Sequence, residues 1–275
     1  MNWQQLNLWQ VASDPRGYFF WLLLISLLCL VLERLFPWRK QPLLRPQFGQ
    51  DLFFLVFNGH YAGLIIAVFA GWLTARFDAA TGLNLFAGLQ KANLLAEAPA
   101  WLQFILFFLF KDFLEYCIHN LLHRVPVLWR WHKIHHSIET MDWIGNFRFH
   151  WLEIVLYKSL SYLPLVILGV DGAIMLWIAV IATLVGHLNH SNLNWSYGPL
   201  RFVFNSPRFH IWHHDVIAHG GHGTNFAIVF SIWDWLFGTA FWPKEEQPPK
   251  LGFADLDRFP TSLWGRMLYP FTRKP

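Results

Sequence analysis

Residues 101–136 read WLQFILFFLFKDFLEYCIHNLLHRVPVLWRWHKIHH. The ten apolar residues from Trp101 to Phe110 run without a turn signal into Lys111-Asp112-Phe113-Leu114-Glu115-Tyr116-Cys117-Ile118-His119. A helix of that combined length outruns the hydrocarbon of a bilayer and extends into the cytoplasm. The stretch ends in two histidine groups, His119-x3-His123 and His132-x2-His135-His136. Side chains four apart on a helix share a face, so His119 and His123 aim two imidazoles at one place, and 132, 135 and 136 set three on one face. His210-x2-His213-His214 repeats the second pattern. Three such faces brought together supply eight nitrogens, more than one ion accepts, so two ions is the economical count.

The surrounding composition places this cluster at a membrane. Of 275 residues, 55% are hydrophobic and only 14% charged, against about 25% charged in a soluble domain. Seventeen Trp and seven Tyr suit a chain with two membrane interfaces. The net charge of +4 comes from short basic clusters beside apolar runs, Trp38-Arg39-Lys40 and Arg124, Arg130 and Lys133. That is the pattern of cytoplasmic membrane flanks rather than the basic stripe of a nucleic-acid binder. Cys29 and Cys117 both lie in apolar runs, which excludes a disulfide framework and a cysteine zinc site.

The sequence predicts an all-α integral membrane protein of about four to five apolar helices, with a cytoplasmic helical cap carrying the histidines. The first span, about Tyr18 to Phe36, is closed by Pro37 and reads as a retained span rather than a signal peptide. Glu33 and Arg34 sit at its end, where long side chains reach the headgroups. The second span is about Leu52 to Leu73, and residues 76–99 form a mixed outside loop with a short interfacial helix. Two shorter runs, about Ile154 to Leu168 and Ala173 to Leu188, form a membrane hairpin. Three regions follow: spans and loops over 1–100, a histidine-box domain over 101–242 with the hairpin 154–188, and a Pro- and charge-rich, solvent-exposed tail over 243–275. Basic flanks put the histidine boxes on the cytoplasmic side.

Thirteen of the fourteen histidines fall within residues 119–222. Beyond the eight grouped ones, His187, His190 and His222 are further candidate ligands, the last in the loop Gly220-Gly221-His222-Gly223. His150 reads as structural or as positioning Glu153, His60 as a buried hydrogen-bonded residue, and His219 as a surface one. Metal-bound histidines commonly donate their second ring N–H to a carboxylate. Asp112 and Glu115, on one helix stripe with His119 and His123, are candidates for that role, as are Asp215 and Asp234; pairing with Lys111 or an arginine is the alternative.

Imidazole alone does not name the ion. There is no His-Glu-x-x-His, so a zinc hydrolase lacks its most informative motif. The three histidine boxes resemble, in order and spacing, those of the membrane fatty acid hydroxylase / sterol desaturase superfamily. Arg148-Phe-His150-x2-Glu153, His190-Ser-Asn192, Asn205-Ser-Pro207 and Trp233-Asp234-x2-Phe237-Gly238-Thr239 extend the likeness over about residues 110–240. The resemblance implies that the box histidines bind two Fe ions, that O2 is the co-substrate, and that a lipid is hydroxylated or desaturated. It also implies an external electron donor (a ferredoxin, cytochrome or reductase), since the chain shows no haem, flavin or iron–sulfur motif. Asn225-Phe226-Ala227 stands where members often have Asn-Tyr/Phe-Gly, and Asp215 where a small polar residue is common. The competing readings are a membrane metal-dependent hydrolase or lyase of lipids, and a non-catalytic metal-binding or transport protein. A transporter places its ionisable groups at mid-membrane, whereas these histidines gather at span ends.

Overall fold

A computed structural model describes residues 13–82, 84 and 95–272. These residues are all-helical, with no strand among them and one isolated bridge between Asp215 and Leu251. Helix α1 covers Tyr18–Leu35. Helix α2 covers Phe48–Thr81 and widens into a π-helical turn at Phe57–Tyr61. With α6, Gly172–His190, these are the three helices long and apolar enough to cross a membrane among the described residues. Their exposed faces are apolar: Leu27, Val31, Ile65, Val68 and Phe69 stand open on α1 and α2. A surface of that kind is stable only against lipid.

Against the expected four to five apolar helices, three of the described helices are long and apolar enough to cross a membrane. Helix α3, Ala100–Arg124, has 25 residues and is about 38 Å long at the helical rise. Its middle buries Lys111, Asp112 and Glu115, so only its first half is apolar. Helix α5, Trp151–Ile167, has 17 residues, about 26 Å, one residue shorter than α1. It turns at Gly169 (φ 70°) into α6, whose N-cap Asp171 accepts the Ala173 N–H at 2.8 Å. The second helix is longer than its apolar run suggested and stays helical to Thr81, inside the expected loop 76–99. Residues 83 and 85–94 of that loop, including the expected interfacial helix, lie outside the described residues.

Pro126 opens α4, Pro126–His136, directly after α3. Its fixed φ and missing N–H suit the first helical position, and the sharp turn folds α4 back so that the two histidine helices face each other. The third box lies on a shorter element: α7, Pro207–His210, continues as a 3-10 turn over Ile211–His214. Ser206 caps it by accepting the Phe209 N–H at 3.3 Å.

Two expectations are corrected here. Glu33 does not reach toward headgroups; it is 3% exposed and accepts the backbone N–H groups of Asn192 at 2.7 Å and Trp143 at 2.9 Å. Two backbone donors from distant segments hold it more firmly than water would. The segment after Trp242 is not simply a solvent-exposed end. Phe253, Phe259 and Tyr269 pack on Ile134 of α4 and on Phe54, and Arg266 is buried against Gln47, Gln50 and the Pro260 carbonyl. Its prolines and charges conceal an aromatic docking face. Between the first two spans, Arg45 is likewise buried, paired with Asp51 and Asp142 beside Arg148.

Candidate metal centre

The grouped histidines converge, but the groups they form in space are not the groups of the sequence. His119, His123, His132, His136 and His213 bring one ring nitrogen each to a common place, and His135, His190, His210 and His214 form a second set. In each set the ligand atoms lie within 4.8 Å of one another. Members four apart stay together: 119 with 123, 132 with 136, 210 with 214. The third member of boxes two and three crosses over, so His135 joins the second set and His213 the first. On an α-helix, i+3 lies about 60° to one side of i and i+4 about 40° to the other, so one face can address two neighbouring places. The sets adjoin, with the His136 and His214 rings stacked 4.5 Å apart.

The rings are oriented from behind. His119 Nδ1 donates to the Phe226 carbonyl (2.7 Å), His123 Nδ1 to His222 (3.1 Å), His213 Nδ1 to Thr224 (2.8 Å) and His190 Nδ1 to Gly186 (2.8 Å). A carbonyl can only accept, so in these four rings the proton sits on Nδ1 and the Nε2 lone pair points inward. Inside, Nε2 atoms face one another: His119 and His132 at 3.1 Å, His136 and His213 at 3.0 Å, His190 and His135 at 3.1 Å. Converging lone pairs repel unless a cation lies between them. Two nitrogens bound about 2.1 Å from one ion are roughly 3.0–3.4 Å apart at ordinary coordination angles, which matches. His214 has neither ring nitrogen hydrogen-bonded. The donor set therefore fits two metal ions.

Burial, reinforced by neighbouring imidazoles, holds the eight box histidines far below the ordinary value of 6.5, His119 at about 4. They are neutral at pH 7, the form that binds metal.

One carboxylate touches a grouped histidine among the described residues. Glu153, in the first turn of α5, lies 2.6 Å from His132 Nδ1. The expected acids act elsewhere. Asp112 accepts the Val229 and Phe230 N–H groups and the Trp233 indole (2.9–3.0 Å), and Glu115 pairs with Lys111 at 2.6 Å. Asp215 takes His219 at 2.7 Å, and Asp234 accepts the N–H groups of Phe226 and Ala227 and the Thr239 hydroxyl (2.7–2.9 Å). Asp112 and Asp234 thus fasten the segment 224–230, whose carbonyls orient the rings. Of the further candidates, His190 joins the second set. His187 does not: it lies between Asn146 Nδ2 (2.9 Å) and Ser26 Oγ (3.3 Å). His222 is exposed and contributes its carbonyl rather than its ring. His60 is half-buried rather than buried, with its ring tilted against Phe19 at 4.4 Å, and it lies in neither set. His150 caps α5, accepting from Leu152 N at 3.2 Å and donating to the Met267 carbonyl at 3.1 Å.

A cavity of about 50 Å3 lies against both sets, lined by His119, His135, His210, Phe149, Tyr157 and Ile228. Gly186 also borders it. A Cβ there would stand 2.9 Å from Asn146 Oδ1, so only glycine lets Asn146 approach the wall.

The fatty acid hydroxylase family model matches residues 104–239, the span that holds both histidine sets. An ornithine lipid hydroxylase of Rhizobium tropici is 33% identical over 64% of this chain and 52% of its own length. A methylsterol monooxygenase of Arabidopsis thaliana is 29% identical over 50% of this chain and 47% of its own. An alkylglycerol monooxygenase of Caenorhabditis elegans is 26% identical over 74% of this chain and 42% of its own. The chain spans about half the length of these curated relatives, and no solved structure matches it. Histidine sets, family model and relatives agree: residues 104–239 of this chain are a fatty acid hydroxylase domain.

Proposed function

We propose that this protein is a membrane oxygenase that holds two iron ions and hydroxylates a C–H bond of a lipid with O2. The observation that carries the reading is the pair of adjoining all-histidine sets facing one cavity. The reaction balances as R–H plus O2, two electrons and two protons giving R–OH and water, so an external reductant must supply the electrons. When bound, the irons supply the oxidising power to break a strong C–H bond. Desaturation begins with the same hydrogen abstraction; the printed names of the relatives, hydroxylase and monooxygenase, favour insertion of oxygen.

The chain's own residues define the site. His119, His123, His132, His136 and His213 would hold one ion, and His135, His190, His210 and His214 the other. The carbonyls of residues 186, 222, 224 and 226 and the Glu153 carboxylate keep each donating ring in the tautomer that presents Nε2. Phe149 and Ile228 exclude water from the cavity, and Tyr157, Asn146 and Asn189 supply its polar wall. The catalytic unit is residues 101–242, served by the spans before it, with the histidines on the cytoplasmic side. The lipid class follows from the membrane setting and from relatives named for polar and sterol lipids.

Metal analysis joined to lipid mass spectrometry tests the reading. We expect about two irons per chain and a gain of one oxygen in one lipid class that depends on O2 and reductant, abolished in His135→Ala. A protein that binds zinc alone and leaves every lipid class unchanged would overturn it.

A further inference from the structure

We propose that a second pocket, of about 270 Å3 and lined by Arg39, Glu139, Gln247, Lys250 and Leu251, binds the phosphate of an anionic lipid headgroup. Nothing in the proposed reaction uses this pocket.

Its core is a guanidinium fixed in place with a free donor. The Arg39 backbone N–H and Nε both donate to Asn192 Oδ1, at 3.0 and 3.2 Å, and Asn192 Nδ2 returns to the Arg39 carbonyl at 2.7 Å. The guanidinium lies over the Trp38 ring, 5.5 Å from its centre. Arg39 Nη2 is buried and meets no acceptor among the described residues. A buried donor on a charged group left without a partner is costly, and a pre-oriented planar guanidinium suits an oxyanion. Lys250, which also lines the pocket, adds a second cation. Glu139, also on the wall, forms no ion pair with either among the described residues.

The pocket's position selects the source of the anion. Arg39 lies four residues beyond the end of α1 and is flanked by Leu35, Phe36, Leu43 and Leu44, which are 65%, 58%, 49% and 71% exposed. Large apolar side chains so open belong in a bilayer, which sets the guanidinium at headgroup level. A lipid phosphate arrives there already concentrated in two dimensions, whereas a soluble one does not.

The pocket is wired to the second histidine set from two sides. Asn192, which grips Arg39, follows His190 by two residues, and the N–H of Gly252, next to Leu251, donates to the His214 carbonyl at 2.9 Å. An anion on Arg39 would therefore steady the segments that carry His190 and His214.

The test uses the full metal-loaded chain in detergent, titrated with phosphatidate, phosphatidylcholine or inorganic phosphate, with bound species counted by native mass spectrometry. Phosphatidate should bind at least about tenfold more tightly than phosphatidylcholine, as expected for a charge-assisted contact. Arg39→Gln should remove that preference, Lys250→Gln should reduce it about two- to threefold, and Glu139→Gln should raise it by removing a like charge. The Lys250 and Glu139 side chains are exposed, so these two variants keep the test decisive if Arg39→Gln fails to fold. A preference unchanged in the Arg39 and Lys250 variants overturns the proposal. So does inorganic phosphate that binds as tightly as phosphatidate, because the site would then be one for a soluble oxyanion.

Discussion

At the scale of single residues, spacing picked out most of the histidines that converge but not how they divide between the two sets. The eight box histidines stand out because i, i+3 and i+4 are the separations that put side chains on one helical face. His187 and His190 were indistinguishable by that rule; only the packing of α6 on Ser26 and Asn146 separates them. Glu153 was visible as a partner of His150 in the sequence, yet it serves His132, twenty-one residues away. Glu153→Ala should lower metal affinity about 10–100-fold, measured by competition with a chelator. Glu153→Gln should lose less, because its carbonyl still accepts the Nδ1–H; equal losses would mean that charge, not the hydrogen bond, orients the ring. His150 gives a pH signature of its own. Burial lowers its pKa below 6.5, so the unfolded chain binds its proton more readily than the folded one. Stability is then full above 6.5 and falls as pH drops below it. Melting temperatures of the metal-loaded protein should fall between about pH 7 and pH 5. His150→Asn, which keeps a capping acceptor, should be weaker at neutral pH and show a shallower fall.

At the scale of elements, apolar runs located the helices, because a span must satisfy its backbone internally whatever its neighbours do. The segment 222–230 left no comparable trace. Its contribution is made by carbonyl oxygens, which every residue possesses, and its shape depends on glycines with positive φ at 220, 221 and 223. The third box was expected to repeat the helical face of the second, but it occupies one α turn and one 3-10 turn between Pro207 and His214. The docking of 250–272 on α4 leaves no periodic signature, because its aromatics are scattered among prolines and charges. Asp234→Ala would leave the Phe226 and Ala227 N–H groups buried without acceptors, at a cost of roughly 2–5 kcal/mol. It would also free the carbonyls that hold His119 and His213. Under a graded chelator challenge this variant should lose the first set's ion well before the second's; simultaneous loss of both would show that the segment does not act locally.

At the scale of the whole molecule, a 14% charged composition already spoke for a bilayer, while the number of spans depended on where charge is buried inside α3. If the histidine side faces the cytoplasm, a cysteine placed at Glu139 should react with an impermeant thiol reagent in inside-out vesicles and not in right-side-out ones. Labelling in both would mean that the cap is not confined to one side. The near absence of carboxylates has a further consequence. Among the described residues, nine uncharged rings and a single glutamate enclose the two places where ions fit, so divalent cations bound there would keep most of their positive charge, in contrast to centres bridged by several acids. Such a centre resists giving up electrons. Its reduction potential should lie higher than that of a carboxylate-rich pair, which would let a weakly reducing carrier charge it, and small anions such as azide should be drawn into the cavity beside it.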